Sequence, residues 1–158
     1  RYTGGPVHLP VSLTVRSNGL SLGFTCPLDP ALAADLQNYA VDQWNYQWSA
    51  GYGSLMYSVS DTNKLLSAKS TLSFKGENVE VKSARLEADG RTVFLEIPEL
   101  QPVMQMRIRF NLEAADGHAL RQEIYHTINT VPGWKPKLAA AVGAREQPTK
   151  SAAASHAR

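Results

Sequence analysis

Five aromatic residues in one stretch of the chain are the candidate ligand-binding residues. Trp44, Tyr46 and Trp48 alternate along a short segment, and Tyr52 and Tyr57 follow them. Successive side chains of a β-strand point to opposite faces, so the first three rings would share one face. Such rings can stack on a sugar, contact a protein partner or fill a core. We predict core packing for Trp44 and Trp48 and exposure for Tyr52 and Tyr57.

Side chains of the types that bind copper are also present, but they are scattered along the sequence. They are His8, Cys26, Met104, Met106, His118 and His126. Met104 and Met106 share the parity of Ile108 and Phe110, which favours packing in a core or an interface over metal ligation. Cys26 is the only cysteine, so the chain has no internal disulfide, and a buried thiol is expected. We predict no metal site and no cofactor.

No catalytic constellation is evident. Ser54 follows Gly-Tyr-Gly but lacks the second glycine of a nucleophile elbow. Four carboxylates alternate as on a solvated strand face: Glu77, Glu80, Glu87 and Glu96. We therefore expect that the chain is not an enzyme.

Length and composition favour one globular domain. The chain has 158 residues, of which 43% are hydrophobic and 19% charged, and this suffices for a single core. The formal net charge is +2, and the basic residues are dispersed among acids, so we expect no nucleic-acid partner. No apolar run approaches the ~18 residues of a membrane span.

The elements that would hold these residues are short strands. Alternation from Val7 to Val15 predicts a first strand with one buried face, and Pro10 places it at a sheet edge or a bulge. Asn18-Gly19 predicts a hairpin turn in which both residues tolerate positive φ. Asp29-Pro30 predicts the start of a short helix that ends near Asn38.

The aromatic strand comes next, and then the periodicity fades. Residues 49–78 predict a long loop of the kind that carries function or is partly disordered. Asp89-Gly90 and the turn at 115–118 predict two further hairpins. The sequence thus indicates an all-β fold, an immunoglobulin-like antiparallel β-sandwich of about seven strands with one short helix. We assign the sandwich to residues 1–134 and a disordered, Ala/Lys/Pro/Ser-rich C-terminal tail to residues 135–158.

Several motifs resemble bacterial immunoglobulin-like domains. They are PLDP, NY.V, V..A.L..DGRTV.LE and the final strand after AADG. More narrowly, NYAVDQWNYQWSAGYGS, LEIPELQPVMQMRIRFNLEAADG and EIYHTIN resemble the C-terminal domain of large secreted planctomycete and verrucomicrobial proteins. Those proteins also carry a sugar-dehydrogenase-like propeller and a c-type haem domain. The resemblance runs from about Thr3 to Pro132.

The resemblance implies a non-catalytic accessory module of an exported protein, periplasmic or extracellular, that positions neighbouring redox or carbohydrate-active domains. Its partners would be those domains, and its expected signature is an apolar patch near the chain start or the Met104 strand. The alternative is a carbohydrate-binding module that uses Trp44 to Tyr57 on a polysaccharide, with Asn45 and Gln47 as donors. A copper-binding, cupredoxin-like domain is a third alternative.

Overall fold

Two antiparallel β-sheets face each other in a computed structural model that describes residues 4–47, 53–67 and 76–136. The strands are β1 (Pro10–Arg16), β2 (Gly19–Phe24), β3 (Tyr39–Tyr46), β4 (Met56–Tyr57), β5 (Leu65–Ser67), β6 (Glu77–Val79), β7 (Ser83–Leu86), β8 (Thr92–Glu96), β9 (Val103–Glu113) and β10 (Ala119–Ile128). Helix α1 (Pro30–Ala34) joins β2 to β3 together with a short 3-10 helix, Leu36–Asn38.

The seven main strands have the immunoglobulin topology. One sheet has the order β1-β2-β8-β7, and the other contains β10-β9-β3. If the seven are lettered A to G along the chain, these orders are A-B-E-D and G-F-C, the arrangement of a constant-type immunoglobulin domain. The predicted fold class is confirmed. Strands β4, β5 and β6 are additions, and they arise in the segment for which we predicted only a loop.

The core lies between the sheets and follows the period-two alternation of the strands. β9 points Met106, Ile108, Phe110 and Leu112 inward, and Phe24 of β2 meets Phe110 edge to face with the ring centroids 5.4 Å apart. β2 is the second strand of its sheet and all six of its residues are buried. The thiol of Cys26 is free and buried, as predicted.

The prediction for the first strand is only half right. Leu13 and Val15 pack against the core, but Val7, Leu9 and Val11 are exposed. Pro10 pairs with Phe24 and Ser12 pairs with Gly23, so one extra residue lies between them and β1 is bulged there. The bulge breaks the alternation, and β1 is also the edge of its sheet. Both features follow from a proline that cannot donate to a ladder.

Two predicted boundaries are wrong. The β1–β2 turn consists of Ser17 and Asn18, whereas Gly19 already belongs to β2 and pairs with Arg16. Helix α1 ends at Ala34, four residues before the predicted end, because Asp35 caps a separate 3-10 turn through Gln37 N. The N-terminal prediction is confirmed: Asp29 caps α1 by accepting from the amide of Leu32 at 2.8 Å.

Gly19 lies where β2 approaches β8 too closely for a side chain. A Cβ on Gly19 would overlap the carbonyl oxygen of Leu95 and would lie 2.7 Å from the Phe94 ring. We expect Gly19→Ala to lower the free energy of unfolding by about 1–3 kcal/mol through overpacking, measured by urea denaturation. Gly5→Ala is the matched control, because no atom lies within 4 Å of its added Cβ. An equal effect of the two substitutions would contradict the assignment.

Candidate functional site

Trp44 is buried, but it lies outside the sandwich core. Tyr39 and Val41 of β3 face the core, so Trp44, with the opposite parity, faces away from it. Its side chain is 3% exposed and contacts Tyr46 and Tyr125 edge to face at 6.5 and 6.4 Å between ring centroids. The predicted core position of Trp44 is therefore wrong, although its burial is confirmed. Buried in this way, the ring cannot serve as an open binding platform.

The other candidate aromatics divide into two groups. Tyr46 and Tyr57 are half-buried, and Tyr57 belongs to β4 instead of a loop. Trp48 and Tyr52 lie outside the described residues, as does the predicted tail beyond residue 136. The structure thus brings two of the five predicted residues, Tyr46 and Tyr57, to one place.

That place is a cleft of about 420 Å³ at one end of the β10-β9-β3 sheet. It lies where β3 and β10 end, β9 begins, and β4 pairs with β3. The described residues that line it are Asn45, Tyr46, Gln47, Tyr57, Ser58, Thr62, Pro102, Val103, Met104, Thr127, Ile128 and Asn129. None of these side chains carries a charge. The described lining therefore combines aromatic rings, amides, hydroxyls and apolar groups.

Hydrogen bonds fix the walls of the cleft to one another. Asn45 Oδ1 accepts from Met104 N at 2.9 Å, and the amide of Tyr46 donates to Met104 Sδ at 3.2 Å. Gln47 Nε2 donates to the carbonyl of Thr62 at 3.2 Å, and Thr127 Oγ1 donates to the carbonyl of Met104 at 2.7 Å. Met104 and Met106 were expected in a core or an interface. Met106 is in the core, whereas Met104 is 52% exposed and lines the cleft, so for Met104 the core position is wrong and the interface stays a prediction.

Glu77 of β6 anchors the segment that follows β4. Its Oε2 accepts from Ser58 Oγ at 2.8 Å, from Val59 N at 2.6 Å and from Ser60 N at 3.2 Å. Burial acts to raise the pKa of Glu77, but the hydrogen bonds from Ser60, Ser58 and Val59 outweigh it and lower the pKa. Glu77 was predicted to lie on a solvated face. Instead, it holds the wall of the cleft that carries Ser58.

A buried ion pair lies beside Trp44 on the same outer face of β3. Asp42 faces Arg107 across the β3–β9 ladder, and Arg107 donates to both carboxylate oxygens at 2.8–3.2 Å. Arg109 donates to Asp42 Oδ2 at 3.3 Å, and Glu123 lies 3.7 Å from Arg107. The side chains of Asp42 and Arg107 are 7% and 12% exposed. Their charges are satisfied by each other, so this cluster has a structural role.

The candidate copper ligands do not converge. Cys26 and Met106 lie in the core, whereas Met104 lines the cleft. His126 faces Met106 across the ladder with both ring nitrogens buried, and burial lowers its pKa to about 4. The sequence predicts a polar-facing position for His126 on the last strand, and that prediction is wrong because the ring nitrogens are buried. Among the described residues, no group of three His, Cys, Asp or Glu side chains is placed to hold a metal ion.

His8 and His118 do meet at the opposite end of β9 and β10 from the cleft, near the turn after β9. His8 Nε2 lies 2.7 Å from Asp116 Oδ2, and its ring stacks on His118 at 4.2 Å with 17° between the planes. A metal ion lies close to the plane of each imidazole that binds it, so two nearly parallel stacked rings do not aim at one ion. The cluster fastens the segment before β1 to the β9–β10 turn.

The cleft contains residues that sequence reasoning passed over. Thr62 lies in a turn, Thr127 lies near the end of β10 and Asn129 follows that strand, and no local pattern distinguishes them from solvated positions. Asn45 and Gln47 were recognised because they flank the aromatic run. Pairing of Asn45 with Tyr57 could not be foreseen, since residues 49–78 show no strand pattern.

Comparisons with known proteins give little further information. No protein-family model matches the chain, and no curated protein is similar to it. The crystal structure of CopC from Methylosinus trichosporium OB3b is 17% identical, with a TM-score of 0.39, over 78% of this chain and 94% of that one. A likeness at this level has no bearing on function. Separately, no helix in the described ranges is long and apolar enough to cross a membrane.

Removing one partner of the buried ion pair should be costly. We expect Asp42→Asn to lower the free energy of unfolding by about 3 kcal/mol or more, because it leaves the Arg107 guanidinium under-compensated in a nearly buried position. Urea unfolding measures the change. Glu123→Gln is the control, with an expected loss below about 1 kcal/mol for a half-exposed and longer contact. Similar losses for both variants would contradict the assigned roles.

Glu77 should make stability dependent on pH in the acid range. Because folding lowers its pKa, its stabilisation is present above its ordinary value of 4.5 and is lost as the pH falls through the lowered folded-state pKa. We expect Glu77→Gln to cost about 1–2 kcal/mol at neutral pH, with the difference from wild type shrinking below about pH 4. Thermal unfolding across pH tests this. Glu80→Gln, at an exposed position, should show neither effect.

Proposed function

We propose that the chain is a non-catalytic accessory module of a larger exported protein, and that it packs against a neighbouring domain through its first strand and the segment just before that strand. The observation that carries the proposal is the exposed apolar surface of Val7, Leu9 and Val11, hereafter the β1 patch. These side chains are 40%, 45% and 63% exposed. An apolar patch near the chain start is the signature that the sequence resemblance led us to expect.

The β1 patch lies on a fixed backbone. Leu9 N donates to Thr25 Oγ1 at 3.0 Å, Thr25 N donates to the carbonyl of Leu9 at 2.9 Å, and Thr25 Oγ1 donates to the carbonyl of Val7. Isolated exposed apolar residues are ordinary, but here three occur at alternate positions of one ordered segment, Val7 and Leu9 just before β1 and Val11 within it. Such a group supports an interaction surface. Preorganisation of this kind lowers the entropy lost on docking.

The backbone of the β1 edge indicates what kind of partner could dock on it. Pro10 cannot donate a ladder hydrogen bond, and the bulge beside it interrupts the edge of β1. Both features disfavour extension of the sheet by another strand. Side-chain packing remains, so the partner we propose is the apolar surface of a folded neighbouring domain in the same polypeptide.

A non-catalytic role agrees with the carboxyl groups. Those with a shifted pKa in the described ranges are Glu77, Asp89, Glu96 and Asp116, and each pKa is lowered. The foremost cause is a hydrogen bond from Thr92 for Asp89, from Ser83 for Glu96 and from His8 for Asp116. A general acid needs a raised pKa, and these groups are engaged in structural bonds. The exported location rests on the resemblance.

The copper alternative has less support. Of its candidate ligands, His8 and His118 stack on one another, and His126 pairs with the core residue Met106 across the β9–β10 ladder. Copper binding would require His8 to leave Asp116. Stoichiometric Cu(II) binding that His8→Ala abolishes would favour it over the accessory role.

The β1 patch can be tested by comparing this chain alone with the longer polypeptide that carries it. We expect the amides of residues 7–9 and 11 to exchange hydrogen more slowly in the longer protein, and we expect Val11→Glu to abolish that protection. Val11→Glu should change the stability of the isolated chain by no more than about 0.5 kcal/mol, because Val11 is exposed. The matched control is Leu65→Glu, at a 46% exposed leucine on β5.

Equal exchange rates in the two proteins would refute the docking surface. Self-association of the isolated chain that Val11→Glu abolishes, measured by sedimentation, would refute it too, since the occupant would then be a second copy.

A further inference from the structure

We infer that the cleft at the end of the β10-β9-β3 sheet binds an uncharged saccharide. The inference is independent of the β1 patch, which lies on and just before the edge strand of the other sheet. A volume of about 420 Å³ falls within the range of about 300–1,000 Å³ typical of small-ligand sites. A mono- or disaccharide unit of a longer glycan fits such a cleft.

The described lining favours a neutral ligand rich in hydroxyl groups. An anionic ligand such as a phosphate calls for Arg, Lys or a cluster of backbone amides, and a cation calls for carboxylates. Glu77, the charged side chain that contacts the lining residue Ser58, is engaged by Ser58, Val59 and Ser60. Asp42 and Arg107 pair with each other on the outer face. The described lining offers amides and hydroxyls without charge, and these are the groups that pair with sugar hydroxyls.

The amides supply both a donor and an acceptor. Asn45 uses Oδ1 to accept from Met104 N, which leaves Nδ2 able to donate. Gln47 uses Nε2 to donate to the carbonyl of Thr62, which leaves Oε1 able to accept. A hydroxyl group both donates and accepts, so this pair is complementary to it. The bonds already made hold the two amides in place before a ligand arrives.

Tyr46 and Tyr57 supply the apolar half of the recognition. Both are half-buried and both line the cleft, one from β3 and the other from β4. A pyranose ring presents an apolar C–H face as well as hydroxyls, and a tyrosine ring with a polar tip matches such an amphipathic ligand. An aromatic run on an open strand face would be a platform. Tyr46 and Tyr57 line a cleft instead, and Trp44 is not part of its lining.

The test is an amide-resolved NMR titration of the full chain with cellobiose, maltose, xylobiose and chitobiose, and with glucose 6-phosphate as the charged probe. We expect at least one neutral disaccharide to shift the signals of Asn45, Gln47, Tyr57 and Asn129, with little change elsewhere. Tyr57→Ala should weaken that binding about tenfold or more, as for loss of a central aromatic contact. Its dispersed spectrum would show that it still folds.

Two further variants separate contact from general destabilisation. Tyr125→Ala is the matched control, because Tyr125 is an exposed tyrosine of β10 that does not line the cleft; its affinity should equal that of wild type. Asn129→Ala, at an exposed residue of the lining, should weaken binding severalfold without changing stability.

Several results would overturn the inference. One is that no neutral sugar shifts the NMR signals of the lining residues. Others are that only glucose 6-phosphate shifts these signals, or that an extended peptide shifts them and no sugar does. The last is that Tyr57→Ala and Tyr125→Ala weaken sugar binding equally. None of these results bears on the β1 patch, so the two proposals fail separately.

Discussion

The register between β3 and β9 determines most of what this domain presents to its surroundings. Pairing of Val41 with Ile108 and of Tyr39 with Phe110 places the apolar members of both strands in the core. The alternating residues, Asp42 and Trp44, must then lie on the outer face, with Arg107 and Gln105 opposite them. A slip of one residue would bring a carboxylate and a guanidinium into the core, so the register is strongly specified.

The Asp42–Arg107 pair contributes more to this specificity than to net stability. Removing two charges from water costs several kcal/mol per ion, and their attraction together with the hydrogen bonds largely offsets that cost. An apolar pair of similar size would stabilise the correct register about as well. It would also tolerate the slipped one, whereas the ion pair does not. We infer that the pair serves to exclude the alternative pairing, and that Trp44 and Tyr125 complete its cover.

The sequence predicts the seven main strands and their immunoglobulin order because turn residues and alternation are local signals. Asp29-Pro30 specifies the start of a helix, and Asp89-Gly90 specifies a turn in which the glycine has a positive φ. The errors arise where tertiary contacts decide. Val11 looks like a buried strand residue, but the bulge at Pro10 exposes it. Met104 has core parity, but a shift in the β9–β10 register between Met106 and Val103 turns Val103 into the core and leaves Met104 exposed. Trp44 has the parity of Tyr46, as expected, but parity alone does not tell which face of a sheet is the inner one.

The cleft could be predicted only in part because it is assembled from distant segments. Asn45 and Tyr57 become neighbours only when β4 pairs with the end of β3. The segment that follows β4 is held by Glu77, twenty residues farther along the chain, which accepts a hydrogen bond from Ser58. The walls of the cleft come from β3, β4, β9, β10 and the loops next to them, whereas the β1 patch lies on and just before the edge strand of the opposite sheet. The two surfaces share no residue. Under the two proposals, a domain that docks on the β1 patch therefore does not use the residues that would contact a saccharide.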